Sequence, residues 1–290
     1  MSLSIAEALQ IAGDELGRAG VPEARKEARS LLAHVLDLDW AVFITNPDKP
    51  LAESSLNRFQ ELVSRRSTGE PAQYITGVQD FYGRRFEVTR DVLIPRPETE
   101  GLVETVLPFL SVAAPIRICD VGTGSGCIAI TVLCENPSVH AIGLDISAAA
   151  LEVAKRNAIA HNVANRISFI KSDCFDALTD DIAFELIVSN PPYVSAKVLP
   201  GLQREVRDHE PRVALTPGVD GLAVIKRLIT DAPRFLKPAG HLVIEIGFDQ
   251  SESIPALVDP AIWQLIDIVP DLQQIPRIVV LKKIPREAIS

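Results

Sequence analysis

Beyond residue 115, short apolar runs alternate with stretches of helical periodicity, and this alternation limits the fold more than any other sequence feature. The apolar runs predict five strands, over Ile116–Val121, Val139–Asp145, Ile167–Lys171, Glu185–Ser189 and His241–Ile246. The stretches between them predict helices over Cys127–Leu133, Ala148–Asn162 and Leu222–Phe235. Strands that alternate with helices form a mostly parallel sheet with helices on both faces, so we expect an α/β, Rossmann-like domain.

Two more apolar segments near the end of the chain predict a pair of strands over Trp263–Val269 and Ile278–Lys282. Only a short, proline-bounded loop connects them. A parallel pair needs a long crossover, so we expect these strands to form an antiparallel edge.

The first 70 residues carry helical patterns and no strand pattern. Ser4 and Glu7 form an S-x-x-E capping box ahead of an apolar helical face, and Gly69 and Pro71 end the block. We therefore expect a small helical bundle, with Trp40 as a core or hinge aromatic. The length of 290 residues likewise suits two domains.

From Gln73 to Pro95, aromatic and β-branched residues are interrupted by Gly77 and Gly83, a texture typical of a hairpin. Pro97 and the acidic residues after it are typical of the first turn of a helix. We expect a helical substrate-docking domain over residues 1–70, a hairpin linker over 71–96 and a catalytic domain over 97–290.

A glycine-rich segment follows the first predicted strand and opens a helix. This segment, the glycine loop, consists of Gly122, Thr123, Gly124, Ser125 and Gly126. Its glycines allow close approach to a ligand, and Asp145 ends the next strand, where a carboxylate can accept the hydroxyls of a ribose. The pattern fits S-adenosylmethionine enzymes and nicotinamide enzymes equally, and its structural alternative is a tight turn with Asp145 capping the next helix.

The segment that favours methyl transfer is Asn190-Pro191-Pro192-Tyr193, here called the Asn-Pro-Pro-Tyr corner, directly after the fourth strand. Because strand ends meet at one edge of a parallel sheet, we expect it to face the same crevice as the glycine loop. The prolines stiffen the turn. The Asn190 oxygen and a neighbouring carbonyl can then hold a planar amino group, Tyr193 can pack on it, and its nitrogen can point at an electrophile.

Charge and cysteine usage exclude several classes of function. The chain carries 29 basic and 38 acidic residues, a net charge of −9, so no direct nucleic-acid binding is expected. Its cysteines lack metal-ligand spacing and favour a reducing, cytoplasmic compartment without a metal site. The sequence shows neither a signal-peptide pattern nor a long apolar run, so no membrane segment is expected.

Together these motifs resemble those of the HemK-type peptide chain release factor glutamine methyltransferases, over nearly the whole chain. The Asn-Pro-Pro-Tyr corner alone is shared with DNA adenine and ribosomal-protein glutamine methyltransferases. Pro95-Arg96-Pro97-Glu98-Thr99-Glu100, combined with the helical block, is more specific to the release-factor enzymes. The other matching segments are Gln73–Gly77, Phe81–Gly83, the glycine loop, Ile187–Tyr193, Glu210–Arg212 and Glu245–Gly247.

The resemblance implies methylation by S-adenosylmethionine of the glutamine amide nitrogen in the Gly-Gly-Gln motif of release factors. It implies that the glycine loop cradles the methionine part of the cofactor, that Asp145 binds its ribose, and that Asn190 to Tyr193 hold the glutamine. Asp173, with Cys174 or Phe175, is implied near the adenine. Some relatives carry an aromatic residue where Cys174 stands, which leaves the adenine-flanking residue open between the two.

Several alternatives remain open at this stage. Within methyltransferases they are a ribosomal-protein glutamine enzyme and a nucleic-acid amino-methyltransferase, of which the net charge disfavours the second. A nicotinamide oxidoreductase would need a Tyr-Lys or His-acid pair that the sequence does not offer. The fourth alternative is an S-adenosylmethionine-binding adaptor without catalytic activity. Glu245 is expected either near the pocket or solvated at a strand end, and we expect a monomer.

Overall fold

A computed structural model describes residues 3–39, 41–110 and 115–285, so that Trp40 lies outside the described residues. The chain divides into two compact units. The first contains the residues up to Val78 together with Gln203–His209, and the second contains Gln79–Leu202 and the residues from Glu210 onward. The first unit thus extends beyond the predicted helical domain, and most of the predicted linker belongs to the second unit.

The elements follow one another in the order that the sequence predicts, with short helices added. The helices are α1 Ile5–Arg18, α2 Ala24–Leu36, α3 Ala41–Thr45, α4 Glu53–Ser67, α5 Ala72–Thr76, α6 Glu100–Val106, α7 Cys127–Glu135, α8 Ala148–Ala160, α9 Arg204–His209, α10 Arg212–Leu215 and α11 Ala223–Asp231. The strands are β1 Val78–Phe81, β2 Arg84–Glu87, β3 Ile116–Val121, β4 Val139–Asp145, β5 Ile167–Lys171, β6 Phe184–Ser189, β7 Leu236–Glu245, β8 Trp263–Pro270 and β9 Pro276–Lys283.

The first unit consists of α1 to α5 and α9 around one apolar core. The predicted capping box begins α1: the backbone N–H of Glu7 donates to the Ser4 hydroxyl, and the Ser4 N–H donates to the Glu7 carboxylate. Inside the unit, the Arg66 guanidinium is 3% exposed and pairs with Glu27 of α2 and Glu205 of α9. Arg66 therefore joins three helices that are distant in sequence.

The predicted hairpin begins later than its sequence texture suggests. Tyr82 and Gly83 join β1 to β2, and both have positive φ, as a two-residue hairpin turn requires. The prediction of hairpin from residue 73 was wrong, because Ala72–Thr76 forms α5. Pro71 occupies the N-cap and Gly77, at φ +77°, ends the turn, so these two residues override the β propensity between them.

The second unit is built on a seven-stranded sheet in the order β5-β4-β3-β6-β7-β9-β8. The first five strands in this order pair in parallel, whereas β9 pairs antiparallel with both β7 and β8. The predicted parallel sheet with an antiparallel edge is therefore confirmed. The helix predicted over Leu222–Phe235 is shorter, since α11 ends at Asp231 and Pro233 follows in a 3-10 turn.

The strand order reverses beside β3, and this reversal positions the site. The chain runs outward from β3 through β4 to β5 and then returns to place β6 on the other side of β3. The two connections leave β3 in opposite directions, which opens a crevice at the carboxyl ends of these strands. None of the helices in the described part of the chain is long and apolar enough to cross a membrane.

Candidate functional site

One cavity lies at the carboxyl ends of β3, β4 and β6 and is lined by both of the segments that the sequence singled out. The glycine loop follows β3, Asp145 ends β4, and Asn190 follows β6. Arg96 and Thr99 line another part of the same cavity. The parallel sheet therefore brings Gly122 and Asn190 together, although they are 68 positions apart in the chain.

The glycine loop adopts a backbone that favours glycine at three positions. Gly122, Gly124 and Gly126 have φ values of +74°, +54° and +81°. A Cβ on Gly126 would lie 2.7 Å from the Cδ1 of Ile130 and 3.3 Å from the Cβ of Ala154, so α7 packs closely there. The loop thus leads directly into the N-terminus of α7, the positive end of the helix dipole.

Asp145 holds the glycine loop and keeps acceptor capacity toward the cavity. One carboxylate oxygen accepts from the N–H of Gly124 at 2.9 Å, and the other accepts from the N–H of Ser147 at 2.8 Å. Burial raises the pKa of Asp145, while these backbone hydrogen bonds oppose the rise. The N-cap of α8 is Ser147, whose hydroxyl accepts from Ala150. The alternative that Asp145 merely caps the helix therefore does not describe this site.

Only part of the segment after β5 lines the cavity. Asp173 and Cys174 belong to the lining, and burial raises the pKa of the Cys174 thiol to about 11. Phe175 is buried away from it and stacks on Phe235 with ring centroids 5.1 Å apart. Ile146, which the sequence analysis missed, lines the cavity while 48% exposed. One sign of this role is visible in the sequence: Ile146 is an apolar residue directly after Asp145, the acid at the end of a predicted strand.

The Asn-Pro-Pro-Tyr corner lies beside the glycine loop: a Cβ on Gly122 would be 3.9 Å from the backbone oxygen of Asn190. Asn190, Pro191 and Pro192 line the cavity, and the Asn190 side-chain nitrogen donates to the Thr99 hydroxyl at 3.0 Å. Tyr193 is not part of the lining within the described residues. Its hydroxyl instead donates to the Glu245 carboxylate at 3.2 Å. Tyr193 therefore anchors the corner to Glu245 and does not face the cavity.

Thr99 and Glu245 form the buried support of this corner. Both side chains are 2% exposed, so Glu245 is not solvated at its strand end. Burial raises the pKa of Glu245 to about 7, and the nearby Thr99 and Tyr193 hydroxyls oppose the rise. The sequence analysis assigned no role to Thr99. Its only signal was its position inside the Pro-Arg-Pro-Glu-Thr-Glu segment.

Two further carboxyl groups hold the backbone around the cavity. Asp120, fully buried at the end of β3, accepts from the Thr123 hydroxyl at 2.7 Å, and burial raises its pKa to about 7. Glu210 accepts from the backbone N–H of Ile94 and pairs with Arg96 on the cavity wall. Glu210 therefore supports the backbone and the arginine beside the cavity.

No group of three or more His, Cys, Asp or Glu that could hold a metal ion occurs in residues 3–39, 41–110 and 115–285. The functional cavity is instead formed by glycines, one strand-end carboxylate, an amide and an apolar wall.

Comparison with known proteins identifies the class of protein. Residues 7–77 match the family profile of the PrmC N-terminal domain, and residues 102–204 match that of the methyltransferase small domain. A methyltransferase from Pyrococcus furiosus superposes with a TM-score of 0.52 over 79% of this chain and 98% of its own, at 14% identity, and so shares the fold. The fold and the site together define an S-adenosylmethionine-dependent methyltransferase.

The sequence relatives identify the family within this class. The release factor glutamine methyltransferase of Cereibacter sphaeroides is 43% identical, over 94% of this chain and 96% of its own length. The enzyme of the same name from Nitratidesulfovibrio vulgaris is 41% identical, over 95% and 94% of the two chains. The chain belongs to the family of release factor glutamine methyltransferases.

Proposed function

We propose that this enzyme transfers a methyl group from S-adenosylmethionine to the side-chain amide nitrogen of the glutamine in the Gly-Gly-Gln motif of peptide chain release factors. The observation that carries the proposal is the hydrogen bond from the Asn190 amide nitrogen to Thr99. With its donor engaged there, Asn190 can offer its oxygen to the cavity, and an oxygen is the atom that can accept a hydrogen from a substrate –NH2 group.

The residues of the cavity fit the cofactor. We infer that the glycine loop takes up the methionine part, since its positive-φ glycines lack side chains and let a ligand approach the backbone at the cavity wall. Asp145 has lone pairs left for the ribose hydroxyls after accepting two backbone hydrogens. We assign the adenine to the wall between Ile146 and Cys174, with Asp173 beside it, rather than to Phe175.

Catalysis at this site is chiefly a matter of positioning. S-adenosylmethionine, when bound, supplies an activated methyl group on a sulfonium. A glutamine amide nitrogen is a weak nucleophile, because its lone pair is delocalised into the carbonyl. Asn190 and the rigid prolines after it hold the –NH2 group so that the nitrogen faces the methyl carbon. Transfer of that methyl would exchange the carbon–sulfur bond of the cofactor for a carbon–nitrogen bond and release one amide proton to solvent, while Asn190 and the prolines keep the amide in place.

Methyl transfer to an intact release factor tests the proposal. The enzyme is incubated with labelled cofactor and, separately, with release factor, ribosomal proteins and DNA, and mass spectrometry locates the methyl group. We expect one methyl on one glutamine of the release factor. Predominant labelling of a ribosomal protein or of DNA would instead support one of the two rival methyltransferase functions.

Substitution of Asn190 tests the assignment of the corner. Asn190→Ala should reduce turnover by at least about 100-fold, because the amide loses its positioning partner, with cofactor affinity within about twofold of the original. Asn165→Ala, at an exposed asparagine, is the matched control and should retain full activity. Turnover of Asn190→Ala at the unsubstituted level would exclude this role.

We propose that the helical unit docks the release factor and that the enzyme acts as a cytoplasmic monomer without binding nucleic acid directly. The match of residues 7–77 to a domain characteristic of these enzymes supports the docking role, and the net charge of −9 supports the absence of nucleic acid. Hydrogen exchange of the full chain should show protection in α1 to α4 when release factor is added. Analytical ultracentrifugation of the enzyme alone should give the mass of a single chain.

A further inference from the structure

Gln250, in the loop after β7, connects three backbone segments, and the reaction as described above does not use it. The residue is 6% exposed. Its Oε1 accepts from the backbone N–H of Gly247 at 2.8 Å. Its Nε2 donates to the backbone oxygen of Tyr193 at 3.1 Å and to that of Gly221 at 3.2 Å. The amide thus uses both of its hydrogens and accepts a third hydrogen bond through its oxygen.

The backbone around this amide leaves room for it at two glycines. A Cβ on Gly221 would lie 2.9 Å from the Nε2 of Gln250, and a Cβ on Gly247 would lie 3.2 Å from its Oε1. The hydrogen bonds also fix which way the amide faces, because the exchanged orientation would place its oxygen against two carbonyl oxygens. The space is therefore shaped for a primary amide in a single orientation.

The Asn-Pro-Pro-Tyr corner depends on contacts of this kind, because its prolines cannot supply them. Pro191 and Pro192 carry no backbone N–H and so cannot donate. The peptide group that joins Tyr193 to Val194 is held on both sides. Its oxygen accepts from Gln250, and its N–H donates to the backbone oxygen of Leu215 at 2.9 Å. These two hydrogen bonds fix the plane of the peptide group directly after the corner.

We propose that Gln250 is a positioning residue that holds the Asn-Pro-Pro-Tyr corner through the peptide group after Tyr193. The inference rests on the proposed function, in which this corner holds the glutamine amide of the substrate. Since the proline rings fix φ within the corner, a rotation of the next peptide group displaces the corner as a whole. Among the described residues, Gln250 is not part of the cavity lining. Its loss should therefore affect turnover and not cofactor binding.

Two substitutions separate this role from general support of the fold. Gln250→Glu keeps the size and an acceptor for Gly247, but the ionised carboxylate has no hydrogen for Tyr193. Gln250→Met removes the donors without adding a charge. We expect both to lower kcat about 10- to 100-fold, with the cofactor affinity from calorimetric titration within about twofold of the original. Gln264→Met, at an exposed glutamine of β8, is the matched control and should keep full kcat.

Two results would overturn the proposal at this stage. One is a kcat at the unsubstituted level in Gln250→Glu, since donation to the Tyr193 oxygen would then be unnecessary. The other is a loss of cofactor affinity as large as the loss of kcat in both variants, which is the result expected if Gln250 only supports the fold.

A double-substitution cycle tests whether the effect reaches the substrate through Asn190. In an Asn190→Ala background, Gln250→Glu should lower kcat by less than about twofold further, because the side chain that the corner presents is already absent. Losses that multiply in this background would contradict a role through the corner.

Backbone hydrogen exchange of the cofactor-free enzyme tests the inference separately from the substrate assignment. The Val194 N–H should exchange faster in Gln250→Glu and Gln250→Met than in the unsubstituted protein and Gln264→Met, because one side of its peptide group is released. Equal exchange in all four proteins would refute the positioning role. If release factor gains no methyl while the exchange pattern holds, the proposed function falls and the contact of Gln250 with the corner stands.

Discussion

The carboxylate of Asp145 accepts a hydrogen bond from the backbone N–H of Gly124 at 2.9 Å, across 21 positions of the chain. This bond joins the end of β4 to the middle of the glycine loop. The same carboxylate that we assign to the cofactor ribose thus also shapes the loop assigned to the methionine part. The two halves of the cofactor site are therefore coupled through one side chain.

Asp145→Ala should weaken S-adenosylmethionine binding about 10- to 100-fold, which corresponds to the roughly 1.5–3 kcal/mol of hydrogen bonds to a charged group. The substitution removes the ribose acceptor and leaves the Gly124 N–H without its partner. Calorimetric titration of the cofactor measures the change. Asp80→Ala, at an exposed aspartate in the hairpin, is the control and should bind the cofactor normally. Equal affinities would contradict the assignment.

Gly221→Ala should impair turnover, because a Cβ there would lie 2.3 Å from the backbone oxygen of Tyr193. No rotamer change relieves a contact with backbone, so the Asn-Pro-Pro-Tyr corner must shift. Gly83→Ala is matched in backbone strain, at φ +68° against +71°, but its Cβ meets nothing within 4 Å. We expect Gly83→Ala to keep full kcat and Gly221→Ala to lose at least about tenfold. Similar kcat values would show that the close contact is unimportant.

Arg66→Ala should destabilise the helical unit by about 3 kcal/mol, because it leaves the partly buried carboxylates of Glu27 and Glu205 without their cation. Arg58→Ala is the comparison, since the Arg58–Glu61 pair is about half exposed and should contribute less than about 0.5 kcal/mol. Chemical denaturation of the full chain measures both values. A smaller loss for Arg66→Ala than for Arg58→Ala would reverse the expected order.

Turnover should rise as the pH increases through about 7, the value to which burial raises the pKa of Glu245. Above this pH the charged carboxylate accepts a strong hydrogen bond from the Tyr193 hydroxyl and so holds the Asn-Pro-Pro-Tyr corner, and below it the neutral carboxyl holds Tyr193 by a weaker one. The charged groups acting on Glu245 are Arg277, which lowers its pKa, and Glu98, which raises it. A profile of kcat from pH 5.5 to 9 would record the transition.

Tyr193→Phe supplies the control for this profile. The Tyr193 hydroxyl stabilises the charged form of Glu245 by a hydrogen bond, so its removal should raise the pKa of Glu245 further. The variant also lacks the hydroxyl through which Glu245 holds the corner, so the rise in kcat near pH 7 should be lost. An unchanged rise would exclude Glu245 as the group that titrates.

Periodicity predicted the scaffold of this protein well, for a physical reason. The bounds of β3, β4 and β5 coincide with the apolar runs in the sequence. The central strand β3 is buried at five of its six positions, as expected for a strand covered on both faces of a parallel sheet. The short helix α5 was missed, since two capping residues outweighed the β propensity between them. The two capping residues are visible in the sequence, but the residues between them favour a strand, and that longer pattern determined the prediction.

The sequence by itself determined which segments share the crevice: the glycine loop, Asp145 and Asn190 each follow a strand, and the carboxyl ends of parallel strands meet at one edge. Only the tertiary structure decided where individual side chains point. It turned Tyr193 toward Glu245, buried Phe175 against Phe235, and brought Thr99 to Asn190 across 91 positions. Side-chain direction depends on what packs around each residue, and those neighbours come from distant parts of the chain.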